Sequence, residues 1–294
     1  MTQIAYIEKS FHAATLKTIE TANEIIDDYI RQGFILTLRQ LFYQFVGRAL
    51  IANSEREYKK LGNIIKDARR TGLTDWEAIE DRTRNVVWWP SWSGPRELLE
   101  SAAGQFCRDK WATQSYRPEI WIEKEALVGV IEGVCEELQV PYFAARGYNS
   151  DSEQWRAAQR AKAHDAGGQT PRVLYLGDHD PSGLDMPRDL EQRFKLFGAD
   201  VEVERLALNL GQISQYNLPP NPTKTTDRRA ASYIAEFGHE SWELDALEPH
   251  VISELVREAV LAFRDEAAWQ AEFDREEVEK SQIHGLIDNL GAQA

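Results

Sequence analysis

Two acids spaced i, i+2 close a short apolar run, Val173-Leu174-Tyr175-Leu176-Gly177-Asp178-His179-Asp180, and a Pro181-Ser182-Gly183 turn follows at once. Such a run reads as a buried strand of a parallel sheet, and ligand sites of open α/β sheets lie just beyond the carboxyl ends of such strands. An Asp-x-Asp there suits a divalent cation with oxygen ligands, Mg²⁺ above all. Asp, Pro, Ser and Gly are also ordinary turn residues, so a further acid has to decide. Glu119-Ile120-Trp121-Ile122 runs in the same way into Glu123. Parallel strands bring their C-terminal rims together, so Glu123, Asp178 and Asp180 can converge. Three carboxylates at one rim are costly unless a cation holds them. His179 points away from the two aspartates if the strand alternation continues. Asp185 reads equally as an outer acid and as a charge at a helix N-terminus.

The elements that must position these acids follow from periodicity and capping. Residues 8–33 carry Phe11, Leu16, Ile19, Ile25, Ile26, Tyr29 and Ile30 at helical spacing and stop at Gly33. Thr37 caps a helix through about residue 49, and Ser54 caps another reaching Gly72. Two helices joined by a short turn make a helix-turn-helix or winged-helix module. The second helix carries Lys59, Lys60, Lys66, Arg69 and Arg70, which makes these the DNA-contact candidates. Asp75 to Arg84 is expected as a wing, and the tryptophan-rich stretch Val86–Pro95 as a packed connector to a helix over 95–110. From Pro118 strands and helices alternate: strands at 119–122, 142–145, 172–176 and 201–208, helices at 125–138, 152–166 and 184–197. That alternation means a mostly parallel sheet with helices on both faces. A Pro/Thr loop at 218–227 and helices over 243–287 end the chain. The expected division is an N-terminal helix (1–34), an all-helical or winged-helix domain (35–116), an α/β domain (117–242) and C-terminal helices (243–294).

The net charge of −14 is unevenly spread. Residues 1–116 hold 16 Lys+Arg against 15 Asp+Glu, residues 117–294 hold 18 against 33, and residues 37–72 hold 8 against 3. A basic segment on an acidic body is compatible with a local phosphate-binding face. Cys107 and Cys135 are the only cysteines, too few for a zinc site or a disulfide framework. No run approaches the roughly 18 apolar residues of a membrane span and no leader pattern opens the chain. A cytoplasmic, nucleoid-associated protein is the expectation.

Glu123 after one strand, Gly147 after the next and Asp178-His179-Asp180 after the third resemble the Toprim pattern, the metal-binding module of topoisomerases, primases and some nucleases. Ile122-Glu123-Lys124-Glu125-Ala126, Gly147-Tyr148 and Asp180-Pro181-Ser182-Gly183 are spelled like the A subunit of type IIB topoisomerases and the related meiotic double-strand-break proteins. That family presents a nucleophilic tyrosine in Arg-x-x-Tyr-Tyr. Here Arg39-Gln40-Leu41-Phe42-Tyr43 keeps the Arg and the second Tyr and replaces the first Tyr by Phe. At roughly 100° per residue, Leu38, Leu41, Phe42, Phe45 and Ala49 centre an apolar face and Tyr43 lies roughly 130° from it. On that polar side Tyr43 reads either as a brace for the helix or as a nucleophile whose phosphate Arg39 steadies. The short N-terminus and the absence of a Gly-rich P-loop make the resemblance strongest to stand-alone "mini-A" proteins of mobile genetic elements.

The resemblance implies Mg²⁺-dependent cleavage of duplex DNA. Tyr43 would form a 5′-phosphotyrosyl link, Arg39 would hold the phosphate, and Glu123, Asp178 and Asp180 would hold the metal. It also implies a homodimer in which the tyrosine of one subunit works with the Toprim site of the other, and an ATPase B-type partner in full type IIB enzymes. Two other readings stay open. One is a Toprim nuclease in which a metal-activated water attacks. The other is a non-catalytic DNA-binding subunit of a mobile-element or defence complex. Lys224, in the Pro/Thr loop, reads as solvent-exposed, and Glu243 and Asp245 have no role that spacing alone assigns.

Overall fold

The computed structural model describes residues 3–80, 89–145 and 150–291, with side chains to residue 288. Helix α1 (Ala13–Arg31) buries Ile19, Ala22, Ile25, Ile26 and Tyr29 along one stripe. It ends where Gly33 takes φ +86°, a backbone conformation that costs glycine little. Thr37 then opens α2 (Leu38–Gly47) with a reciprocal cap. Its Oγ1 accepts from the Gln40 N–H at 3.3 Å, and Gln40 Oε1 accepts from the Thr37 N–H at 2.8 Å. Ser54 caps α3 (Glu55–Arg70) by accepting from Glu57 N–H at 3.4 Å. All three helices bury one core, in which Ile25, Tyr29, Leu36, Leu41, Phe45 and Leu61 meet. Of the expected wing, residues 75–80 run through bends with one parallel bridge from Leu36 to Ile79. Residues 81–88, with Val86-Val87-Trp88 of the aromatic stretch, lie outside the described residues. Helix α4 (Pro95–Gln105) follows.

From residue 116 the chain alternates between strand and helix. The elements are β1 (Tyr116–Ile122), α5 (Val128–Glu137), β2 (Tyr142–Ala144), α6 (Asp151–Ala166), β3 (Thr170–Leu176), α7 (Pro181–Leu196) and β4 (Glu202–Ala207). The four strands form one parallel sheet in the order β2-β1-β3-β4, as the alternation predicts. Side chains alternate between faces. Ile120, Ile122, Leu174 and Leu176 share one core with Val130 and Ile131 of α5. Trp121, Val173 and Tyr175 share the other with Ala158 of α6 and Leu190 of α7. The chain passes from β1 to one edge and returns to pair β3 on its other side. The strand order therefore reverses between β1 and β3, which is where an open α/β sheet leaves a crevice.

Beyond β4 come α8 (Leu210–Gln215), β5 (Asn221–Pro222), α9 (Ala230–Phe237) and β6 (Glu240–Ser241), with β5 and β6 paired antiparallel. The helical expectation for 243–287 resolves into three pieces: a 3₁₀ turn at Leu244–Ala246, α10 (Pro249–Ala262) and α11 (Glu266–Gly291). Asp265 separates the last two, its Oδ1 accepting from the Ala268 N–H at 3.0 Å. Leu244, Leu247, Ile252, Val256 and Val260 join the core on the α5 face of the sheet. No helix among the described residues is long and apolar enough to cross a membrane.

Candidate active site at the strand ends

Glu123 and Asp178 leave the ends of β1 and β3, strands that pair directly from Tyr116–Thr170 to Ile122–Leu176. The Glu123 side chain meets the Asp178 backbone at the switch point. Glu123 Oε2 accepts from the Asp178 N–H at 3.0 Å and from Tyr175 Oη at 3.3 Å. Asp178 Oδ1 accepts from the Leu244 N–H at 2.7 Å. Two glycines make this approach possible. A Cβ on Gly177 would stand 2.7 Å from Glu123 Oε2 and collide with Tyr175 Oη, and one on Gly183 would collide with the Asp178 carbonyl. The half-buried Arg205 guanidinium staples the loop from the other side. It donates to the carbonyls of Asp178 at 2.6 Å, Gly183 at 2.7 Å and Gly177 at 3.0 Å.

Asp180 is placed differently. Its Oδ1 caps α7, accepting from Ser182 N–H at 3.0 Å, Gly183 N–H at 2.7 Å and Ser182 Oγ at 2.9 Å. His179 turns away from the rim, as alternation predicts, and stands 2 % exposed among Tyr233, Phe237 and Trp242. Asp185 pairs with Arg188 at 2.6 Å and Arg229 at 3.0 Å, and Lys224 is exposed. Arg146, Gly147 and Tyr148 lie outside the described residues.

A second acidic pair joins the rim, and spacing alone had not assigned it. Glu243 precedes the 3₁₀ turn that packs against α2, and Asp245 lies within it. Lys124, next to Glu123, sends its ammonium among three carboxylates: Asp178 at 2.9 Å, Glu243 at 2.9 Å, and Asp245. Arg39 of α2 reaches the same acids, with Nε 2.9 Å from Asp245 Oδ2 and Nη2 on Glu243. The Arg39 guanidinium also makes a long 3.5 Å contact to Tyr43 Oη. Tyr43, Arg39, Glu243, Asp245, Lys124 and Asp178 therefore form one continuous chain of polar contacts.

The helical-wheel expectation for Tyr43 needs correction. The side chain is 5 % exposed rather than on a polar face, and it packs edge-on against Phe42 at 5.4 Å. Helix α2 has core on one side and the 243–246 turn on the other, so Gln40, Leu41, Phe42, Tyr43, Gln44 and Phe45 are all buried. A wheel built on one helix cannot see a partner 200 residues away. The tyrosine still opens onto a cleft of about 320 Å³ lined by Arg39, Tyr43, Asn53, Ser54, Tyr58 and Glu243. A neighbouring cleft of about 590 Å³ shares Arg39 and is lined by Lys66, Arg69, Arg70 and Trp76.

Charge at the rim is out of balance: five carboxylates (Glu123, Asp178, Asp180, Glu243, Asp245) face three cations (Lys124, Arg39, Arg205). Burial raises the Asp178 carboxyl; Lys124 pulls it back, Glu123 and Asp245 push it further, and it ends at about 7. Burial would also raise Glu243, but Lys124 and Arg39 override it and hold that carboxyl at about 2. Burial, with Asp245 and Glu243 adding to it, raises the Tyr43 hydroxyl above its ordinary value. Hard oxygen donors carrying surplus negative charge fit a divalent cation in chemistry. As they stand, no three acids or histidines among the described residues are arranged to hold one. The Lys124 ammonium lies between the carboxylates instead.

On α3 the basic residues divide. Taking Lys59 as 0° and roughly 100° per residue, Lys66 and Arg70 fall within roughly 20° of it. The buried Leu61, Ile65 and Ala68 lie on the opposite side. Lys60 stands off this stripe and pairs with Glu57 at 3.6 Å. Arg69 turns inward, donating to the Trp76 carbonyl and covering the Trp76 ring at 5.0 Å.

Comparison with protein-family models, curated proteins and solved structures finds no match for this chain.

Proposed function

We propose that this chain cleaves DNA by tyrosine transesterification, in the manner of the type IIB topoisomerase A subunits that its motifs resemble. The observation that carries the reading is the contact chain from Tyr43 through Arg39, Asp245 and Lys124 to Asp178. It joins a nucleophile, two cations and the strand-end acids at a Toprim-like sheet. Tyr43 Oη gives up its proton and attacks a backbone phosphorus, the P–O3′ bond breaks, and the 3′ oxygen takes up a proton and leaves as a free 3′-OH while the 5′ phosphate stays on the tyrosine. Arg39 steadies the phosphate. Glu123, Asp178 and Asp180 would hold Mg²⁺, which neutralises charge at the phosphate and the leaving oxygen when bound. The stripe of Lys59, Lys66 and Arg70 grips the duplex backbone, with Lys60 and Arg69 at its margins, so binding is salt-sensitive and weakly sequence-specific. A second copy of the chain would carry a second tyrosine to the opposite strand, and an ATPase B-type subunit is the further partner that the resemblance implies. Such an enzyme works in the cytoplasm, on the nucleoid.

The test is a denaturing gel after incubation with duplex DNA and Mg²⁺. A protein–DNA adduct forms with the wild type and is lost in Tyr43→Phe, which still binds DNA. A second reading, hydrolysis by a metal-activated water, is favoured by the burial and raised hydroxyl of Tyr43. It requires cleavage without an adduct, surviving Tyr43→Phe and lost in Glu123→Gln.

A further inference from the structure

Helix α3 is a ridge with a cleft on each side. The cleft of about 590 Å³ beside Arg39 takes Lys66, Arg69 and Arg70 from one flank of α3. A second cleft, of about 630 Å³, takes Arg56, Lys59 and Lys60 from the other flank. Its far wall is the segment that leads into α1, with Lys9, Ser10 and Thr15. Helical geometry accounts for the division. With Lys59 at 0° and roughly 100° per residue, Arg56, Lys60 and Asp67 lie roughly 60–100° to one side, and Gly62, Arg69 and Tyr58 roughly 60–100° to the other. The exposed stripe is thereby shared out: Lys66 and Arg70 line the first cleft, Lys59 the second. The far wall is fixed to the carboxyl end of α3. Tyr6 and Ile7 N–H donate to the Arg70 carbonyl at 2.7 and 3.2 Å, Trp76 Nε1 donates to the Ile4 carbonyl at 3.1 Å, and Ala5 bridges Thr71. Lys9 Nζ stands 2.6 Å from Asp67, the one acid among the described residues lining this cleft. Lys59 and Lys60 pair one turn away on α3, with Glu55 at 2.7 Å and Glu57 at 3.6 Å. Such surface pairs are worth little, so a phosphate can replace the carboxylate.

We infer that this second cleft receives one sugar-phosphate backbone of a DNA duplex while the cleft beside Arg39 receives the other, so that the duplex straddles α3. The dimensions agree. A helix with its side chains is about 10–12 Å across, and the major groove that separates two backbones is about 12 Å wide. Charge agrees as well, since Lys9, Arg56, Lys59 and Lys60 face one acid that Lys9 already neutralises. Lys9, on the segment before α1, and Arg56, on the far flank of α3, are thus phosphate contacts that the stripe alone does not include. The inference rests on the reading that α3 meets DNA, and it fails separately from it.

Duplex binding across a salt series in EDTA tests it, with Lys9→Ala, Arg56→Ala, their double variant and Lys195→Ala. Lys195 is exposed on α7 and lines neither cleft, so it controls for net charge. Lys9→Ala and Arg56→Ala should each lower the slope of log K against log salt by about 1, and the double variant by about 2. Lys195→Ala should leave the slope unchanged. Melting temperatures report folding, and Lys9→Gln and Arg56→Gln, which keep much of the side-chain length, repeat the measurement. An unchanged slope in either single variant overturns the second cleft, and Lys66→Ala, measured alongside, shows whether the α3 reading stands without it. A slope lowered equally by Lys195→Ala also overturns the second cleft, because bulk charge then accounts for the effect. No duplex binding by the wild type removes the DNA reading, and the second cleft with it.

Discussion

Two clusters of buried charge join distant parts of this chain, and they are built on opposite terms. One ties the segment before β1 to α11. Arg108 donates to Glu272 at 2.7 Å, Glu276 at 2.8 Å and Glu279 at 2.8 Å, and both Lys110 and Lys280 pair with Glu276 at 2.7 Å. Cations there match acids, and Glu272 and Glu276 are pulled below the usual carboxylate range. Burial would raise Glu276, but Lys110, Lys280 and the Arg108 N–H hold it at about 2. The other cluster is the strand-end rim, where acids outnumber cations and two carboxyls diverge, Asp178 to about 7 and Glu243 to about 2. Carboxyls pushed in opposite directions within one cluster are a pattern that sites of acid–base chemistry share, although ion-pair clamps also shift their groups. The first cluster is satisfied by its own chain, whereas the second retains surplus negative charge that a ligand can meet.

Breaking the satisfied cluster should cost the most stability. Glu276→Gln strips the Lys110 ammonium, 5 % exposed, of its carboxylate, and losing one partner of a buried pair costs about 3 kcal/mol. The pH dependence follows from the sign of the shift. A carboxyl held below its ordinary range of about 4.3 contributes stability above that pH and loses it as pH falls toward the folded value of about 2. Urea melts at pH 7 and pH 2 check this. The gap between wild type and Glu276→Gln is large at pH 7 and closes near pH 2, and a gap that persists in acid would place its origin outside the clamp.

The same substitution type at the rim should do the reverse. The Asp178 carboxyl is raised in the folded state, so its contribution to stability is full below about pH 4 and is lost as pH rises through about 7. Asp178→Asn removes a carboxylate whose charged form the fold disfavours. In EDTA it is expected to raise stability at pH 8 by about 1–2 kcal/mol, offset in part by the lost Lys124 pair, and to raise it less at pH 5. Under the proposed function, the same change should abolish cleavage in Mg²⁺. A variant that loses stability at pH 8 would mean that the rim is a clamp like the first cluster.

What the sequence made legible depended on how local the cause was. Caps at Thr37 and Ser54, the stop at Gly33 and the strand-helix alternation are set within a few residues, and each lands close to its expected place. Glu123 and Asp178 were legible because apolar strands announce their own ends and parallel pairing brings those ends together. Lys124, Arg205, Glu243 and Asp245 were not, because their roles come from partners 22 to more than 200 positions away. The burial of Tyr43 was missed for the same reason, since its covering turn lies beyond β6. Gly177 carried a signal that could have been used, as a glycine directly between an apolar strand and Asp178 marks a close approach to the site.

The contrast between spent and available charge recurs within a single helix, where the expected effects are smallest. Arg69 is committed to the Trp76 carbonyl and ring, whereas Lys66 and Arg70 are exposed on the outward stripe of α3. If that stripe follows a DNA backbone, each of the two displaces about one counterion. Lys66→Ala and Arg70→Ala should then each reduce the slope of log K against log salt by about 1, with melting temperature unchanged. Arg69→Ala should lower the melting temperature and leave that slope nearly intact, because its charge is already engaged. Equal slopes in all three variants would erase the distinction on α3 and move the DNA-facing surface elsewhere. A slope lost only in Arg69→Ala would turn the recognition surface inward, to the cleft beside Trp76.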